Sequence, residues 1–143
     1  MKAVVGFLTL LMVFAFSISA NADGKDKIKS YFSKTAIKVN TTELASEKRE
    51  ILNESFQNML NVIEKVQNSG LINNEDQAGI DHFKAALQEK QDELNGTNGF
   101  ERVPDAQLNA FSNYMVQDME QASITISLLA LVVIAILLVV FVF

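Results

Sequence analysis

The 143-residue sequence has no cysteine, one histidine (His82) and one proline (Pro104). Without cysteine, a chain sent to an oxidising compartment has no disulfide staple, so hydrophobic packing or a partner has to hold it together. Nucleophilic catalysis by a thiol is excluded as well. One histidine cannot make an H-E-x-x-H zinc site. No G-x-G-x-x-G, G-x-x-x-x-G-K or G-x-S-x-G stretch occurs. His82 falls beside Ile80 and Phe83, one step off an apolar helix face, where a surface histidine is the simpler reading than a pH sensor. The sequence offers no catalytic residue and no cofactor site, and it does not read as an enzyme.

Basic charge is also in short supply. Setting Lys2 aside, seventeen acidic residues face eleven basic ones, a net charge of about −6. No basic stripe exists for a nucleic acid to follow. Lys25, Lys27, Lys29, Lys34 and Lys38 make one segment locally basic, and a solvated helix face accounts for them.

What the chain does have is a long apolar run at each end. Lys2, the apolar stretch Val4 to Phe16 and the small-x-small triplet Ala20-Asn21-Ala22 form the three parts of a secretory signal peptide. Residues 1–22 are therefore expected to be removed, leaving Asp23 first; an uncleaved anchor giving two spans is the alternative. At the other end, the twenty residues Ile124 to Phe143 carry no charge, no Gly and no Pro. As a helix they would be about 30 Å long, the thickness of a bilayer core. Residues 124–143 thus read as a transmembrane helix or as a signal for a glycosylphosphatidylinositol anchor. The absence of Lys and Arg after the run favours the lipid anchor. The lack of a small-residue site and polar spacer at the right distance favours the span, and Ala110 with Ser112 is the nearest approach to such a site.

Residues 23–123 form the expected ectodomain, and its periodicity predicts an all-α fold: a small antiparallel bundle of three to four amphipathic helices. The first runs over about 26–39, with Ile28, Phe32, Ala36 and Val39 on one face. Asn40 is the expected cap of a second helix over 41–69, with Glu43 in the reciprocal position. Ala45, Leu52, Phe56, Met59, Ile63 and Val66 follow three- and four-residue steps along it, and only Arg49 interrupts them. Gly70 is the expected left-handed stop, with Leu71 folding back on the last turn. A third helix is expected from Asn74, capped by that side chain with Gln77 reciprocating, and ending at Asn95-Gly96. Its apolar face is Ile80, Phe83, Leu87 and Leu94. Thr97 to Val103 is the one clear loop. Pro104 opens a fourth helix with Leu108, Phe111, Met115, Met119 and Ala122 on its seam. No Gly or Pro follows, so this helix and the apolar terminus are expected to form one rod of up to about forty residues.

A calcium loop around Gly70 fails on its ligands. With Gly70 at the sixth position, the first, third and fifth are Lys65, Gln67 and Ser69, and a lysine repels a cation. No metal is expected. Three N-x-S/T sequons, at Asn40, Asn53 and Asn95, are possible glycosylation sites if the host glycosylates. Leu52, Phe56, Met59, Ile63 and Val66 form the expected interaction seam. The functional expectation is an exported, membrane-anchored helical protein, extracytoplasmic at the cell surface or in the secretory pathway. It would act by contact with a protein partner or with copies of itself, like a short coiled coil. The alternative is a lipid-binding or membrane-active protein whose amphipathic helices open onto a bilayer; five Met and ten Phe suit an adaptable apolar interior.

Overall fold

The computed structural model describes residues 23–142, so the expected leader lies outside the described residues. Among those residues are five α-helices: α1 (Asp23–Thr41), α2 (Ala45–Asn68), α3 (Asn74–Asn95), α4 (Leu108–Ala122) and α5 (Leu128–Phe141). The all-α expectation holds, with five helices in place of three to four.

The first four close a ring, and the polar contacts between neighbours give their directions. Tyr31 Oη of α1 donates to the Ser55 carbonyl of α2 at 2.5 Å, and the Thr35 and Ser55 hydroxyls meet at 2.8 Å. The α2–α3 pair is joined at opposite ends by Asn53 with Asn95 and by Gln67 with Asp81. Between α3 and α4, Lys90 reaches Asp118 at 2.5 Å. Between α4 and α1, Lys29 pairs with Glu120 at 3.6 Å and Asn40 donates to Asn113 at 3.0 Å. Each neighbour is antiparallel, which makes an up-down-up-down four-helix bundle. Among the described residues, helix α5 packs against α1 and α2, outside that ring.

The core follows the expected stripes. Ile28, Phe32 and Val39 of α1, Ile80, Phe83, Leu87 and Leu94 of α3, and Leu108, Met115 and Met119 of α4 are all buried. Phe56 and Phe111 meet edge-on, with ring centroids 6.4 Å apart.

Several helix ends differ from the expectation. Asn40 does not cap α2. It lies in the last turn of α1, where its amide donates to Ala36 O at 2.7 Å and Ser112 Oγ at 3.2 Å. Glu43 therefore has no capping partner there, and α2 starts after Leu44 with no side-chain cap. The cap of α3 is Asn73 rather than Asn74: its side chain accepts from Asp76 N at 2.8 Å, and Gln77 N bonds the Asn73 carbonyl. Either asparagine satisfies the same sequence rule, and the backbone takes the earlier one. Beyond Gly70 it is Ile72 that is buried, while Leu71 stays exposed.

Arg49, the residue that interrupts the apolar series, has a structural task. Its buried guanidinium donates to Asp105 Oδ1 through Nε at 3.1 Å and Nη2 at 2.7 Å, to Leu94 O at 3.3 Å, and to Val103 O. Leu94 O is one of the carbonyls left without a partner at the end of α3. One side chain of α2 thus closes α3 and straps the loop that leads to α4. The same loop is pinned from α3, where Asp92 accepts from Thr97 Oγ1 at 2.8 Å and Asn98 Nδ2 at 2.7 Å. Gly96 turns the chain at φ 71°, where a Cβ would press on Arg102.

Arg49→Ala is expected to cost about 2–4 kcal/mol in chemical unfolding, because buried carbonyls lose a charged donor. Asp105→Asn, which leaves the guanidinium and both carbonyls in place, is expected to cost less. Acid should loosen the same loop. Hydrogen bonds from Asn98 and Thr97 hold the Asp92 carboxyl below its ordinary range. The hydrogen bond from Arg49, with its charge, does the same for Asp105. Folded-state values below the unfolded ones mean that this stabilisation is complete above the ordinary carboxylate range of about 4 and is lost as pH falls through the depressed values. Amide exchange in residues 96–107 is expected to accelerate there before exchange in the helices does.

Candidate functional site

The feature with no counterpart in an ordinary bundle is α5. A helix on a bundle surface needs one apolar stripe, yet Leu128–Phe141 has an apolar side chain at every position. Ala130, Leu131, Val133, Ile134, Leu137 and Leu138 are buried within the main core, and Ala135 and Ile136 are buried in a small cluster of their own. The expected rod from Pro104 to Phe143 does not form. It breaks at Ser123–Ser127, where a 3-10 turn (Ser123–Thr125) and an extended Ile126 swing the chain back. No Gly or Pro is needed for this break. Ser123 Oγ bonds Glu120 O at 2.6 Å, and Thr125 Oγ1 bonds Ala122 O at 3.2 Å. The Ser127 side chain then accepts from Ala130 N at 3.2 Å and caps α5. Among the described residues no helix is long and apolar enough to cross a membrane; α5 with its 14 residues is about 21 Å long.

Two glycines seat α5 and its turn. A Cβ on Gly79, in the body of α3, would overlap the Thr125 carbonyl oxygen, and Thr125 Oγ1 donates to Gly79 O at 3.3 Å. A Cβ on Gly24 of α1 would lie 2.8 Å from Leu131 Cβ and from the Leu131 carbonyl oxygen. Both positions work because backbone can approach backbone there. From the Gly24 contact α5 runs alongside α1, and Val142 ends beside Lys34, Lys38, Ile51 and Glu54 at an open groove of about 220 Å³. Lys65 Nζ lies 4.7 Å from the centre of the Phe141 ring.

Besides Asp92, two titratable groups on the ring are shifted. Burial pushes the Tyr31 phenol above its ordinary value and the Glu54 charge adds to this, against a smaller opposing effect of its hydrogen bonding to Ser55. For Lys90, burial is the largest single influence and pulls the ammonium down. Hydrogen bonds to Asp118 and Glu93, with their charges, together outweigh it and lift the group above its usual value. Both groups are held by helix-to-helix contacts, Tyr31 at the wall of the groove beside Lys34, Lys38 and Glu54, and Lys90 at a cleft it shares with Glu93 and Asp118.

The expected seam residues Leu52, Phe56, Met59, Ile63 and Val66 lie inside the bundle, all at 0% exposure. They hold α2 in the ring, so a partner reaching them would have to open it. Of the sequon asparagines, Asn53 and Asn95 bond each other's amides reciprocally at 3.1 and 2.9 Å, and Asn40 bonds α4. His82 is exposed on α3. No cluster of three or more His, Cys, Asp or Glu that could hold a metal occurs among the described residues. Gly24, Gly79, Thr125 and Ser127 were missed by sequence reasoning. The available signals were a glycine inside a helical pattern and a serine directly before an apolar run.

Comparison of the chain with protein-family models, with curated proteins and with solved structures finds no match.

In an exposed helix, Gly→Ala gains up to about 1 kcal/mol from propensity. Gly79→Ala is expected to reverse that sign and cost about 1–3 kcal/mol, because the new methyl displaces backbone at the Thr125 turn. Thermal unfolding of the wild type and the variant side by side reads the sign directly.

Proposed function

We propose that the protein is an exported, membrane-associated helical protein that acts by contact with other proteins on the extracytoplasmic side. In this reading residues 1–22 direct export, the ring α1–α4 is the displayed body, and the apolar segment 124–143 engages the bilayer. The observation that carries it is the composition of α5. Burial on α1 and α2 takes one apolar face, and the other face of α5 is apolar as well, with Ala135 and Ile136 buried beside Val132 and Val140. A helix of that kind belongs to a large core or to a membrane. Large apolar side chains also remain exposed at its two ends, Ile124, Leu128 and Leu129 at one and Phe141 at the other. Because the seam of α2 is spent inside the ring, contacts with a partner or a second copy fall on the outer, mostly polar faces.

A second reading, membrane activity, is favoured by one specific observation: the apolar helix is folded against the bundle through a turn rather than extended from it. A protein built this way can carry its membrane-seeking element shielded from water.

Alkaline carbonate washing of native membranes, followed by intact-mass measurement of the retained protein, tests the first reading. Retention in the membrane pellet with a chain beginning at Asp23 is expected; the same mass reports a lipid anchor and any glycan. Full release into the wash, with residues 1–22 still attached, contradicts it. Leakage of dye-loaded vesicles on addition of the full chain tests the second.

A further inference from the structure

We infer that α5 is a detachable element, held in the groove of α1 and α2 or released into a bilayer but never both, with the Gly24 and Gly79 contacts setting the balance. The inference rests on the membrane reading above and adds its regulation. Three observations carry it. First, α1 to α4 form a closed antiparallel ring, and among the described residues α5 packs on two of its helices from outside. Undocking therefore breaks no neighbour contact of the ring. Second, the joint is short and separate from the helices on both sides: Ser123–Thr125 is a 3-10 turn, Ile126 is extended, and Ser127 starts a newly capped helix. Third, the joint and the start of α5 are seated by close backbone approach at two glycines, with Ile126, Ala130 and Leu131 buried beside them.

Lipid tails are as apolar as leucine, so α5 finds a comparable environment in the bundle groove and in a membrane. The balance between two such states is decided by small local contacts, and these two glycines are the contacts in question. Release also solves a problem of length. Docked α5 reaches about 21 Å and falls short of the bilayer core of about 30 Å. If Ile124, Thr125 and Ile126 wind into the helix, the whole uncharged segment 124–143 becomes continuous and long enough.

The chain lacks both cysteine and tryptophan, which makes the test clean. Phe141→Trp in the full chain places a lone indole near the end of α5, and quenching by brominated acyl chains in phosphatidylcholine–phosphatidylglycerol vesicles reports its insertion. Gly24→Cys with Leu131→Cys, added to that variant, puts two thiols where the Cβ separation of 2.8 Å is within about 1 Å of disulfide spacing. The reduced form is expected to be quenched, and the oxidised form, closure confirmed by mass, to be quenched roughly tenfold less. Gly79→Ala in the lone-indole variant is expected to raise quenching at limiting lipid, with the helical circular dichroism retained. Equal quenching of the reduced and oxidised forms overturns the inference and leaves membrane association standing. No quenching in the reduced form, with no flotation of the wild-type chain on the same vesicles, overturns both.

Discussion

A helix with no polar face has to be kept from water, and α5 imposes that demand on everything around it. For the face carrying Ala130, Leu131, Ile134, Leu137 and Leu138, the demand is met by α1 and α2, which turn a second side outward from the ring toward α5. The close approach at Gly24 brings the α5 backbone onto α1. Without it, a larger residue would hold Leu131 away, and an apolar surface with no polar alternative would stand open to solvent. The ring and this helix share one continuous core. Phe32, Phe56, Phe83, Leu108 and Met115 fill the centre and leave the outer side of α1 and α2 available.

The long connection between α3 and α4 is the weakest part of such a ring, since its backbone has few regular partners. Arg49 resolves this from inside α2. Placing a guanidinium among apolar neighbours is unfavourable unless its donors are satisfied. Here Asp105, Leu94 O and Val103 O take them, and the charge becomes the fixed point of the loop. The same logic explains the polar set of Tyr31, Thr35 and Ser55 between α1 and α2. Among the described residues no buried side-chain nitrogen or oxygen lacks a hydrogen-bond partner. Each polar residue admitted to the interior brings its acceptor or donor with it, which fixes the register of adjacent helices as well as their contact.

Periodicity made the four amphipathic helices legible, because a stripe at three- and four-residue steps has few other uses in water. Ile80, Phe83, Leu87 and Leu94 illustrate it: all were read as one face and all lie in the core. Caps were less legible. Asn73 and Asn74 are equivalent to any sequence rule, and Asn40 looked like a cap because its contacts with Ser112 and Asn113 lie more than seventy residues away. The role of Arg49 was hidden for the same reason, since its acceptors come from two other elements. The break at Ser123–Ser127 had only a faint trace. Serine and threonine in an apolar run usually pass as helix, and the contact that favours the turn comes from Gly79 on α3.

Those hydroxyls also bear on the proposed release of α5, which asks one stretch to serve two conformations. In the docked state Ser123 and Thr125 already bond carbonyls three residues back, Glu120 O and Ala122 O. A continuous helix offers them carbonyls at three or four residues back as well. Ser127 is different: its hydroxyl caps Ala130 N in the docked state, and in a continuous helix that amide is taken by the backbone and the hydroxyl turns to a carbonyl behind it. Each polar group at the joint would thus keep a partner in both arrangements, as the proposed release into lipid demands, since an unsatisfied group there is costly. Glycine or proline would also have broken the rod, but glycine weakens and proline interrupts the straight helix that the proposed release calls for. A serine–threonine joint carrying Ile124 and Ile126 between its hydroxyl residues bends where Gly79 receives it, and its residue types are also compatible with the helix that the proposed release requires.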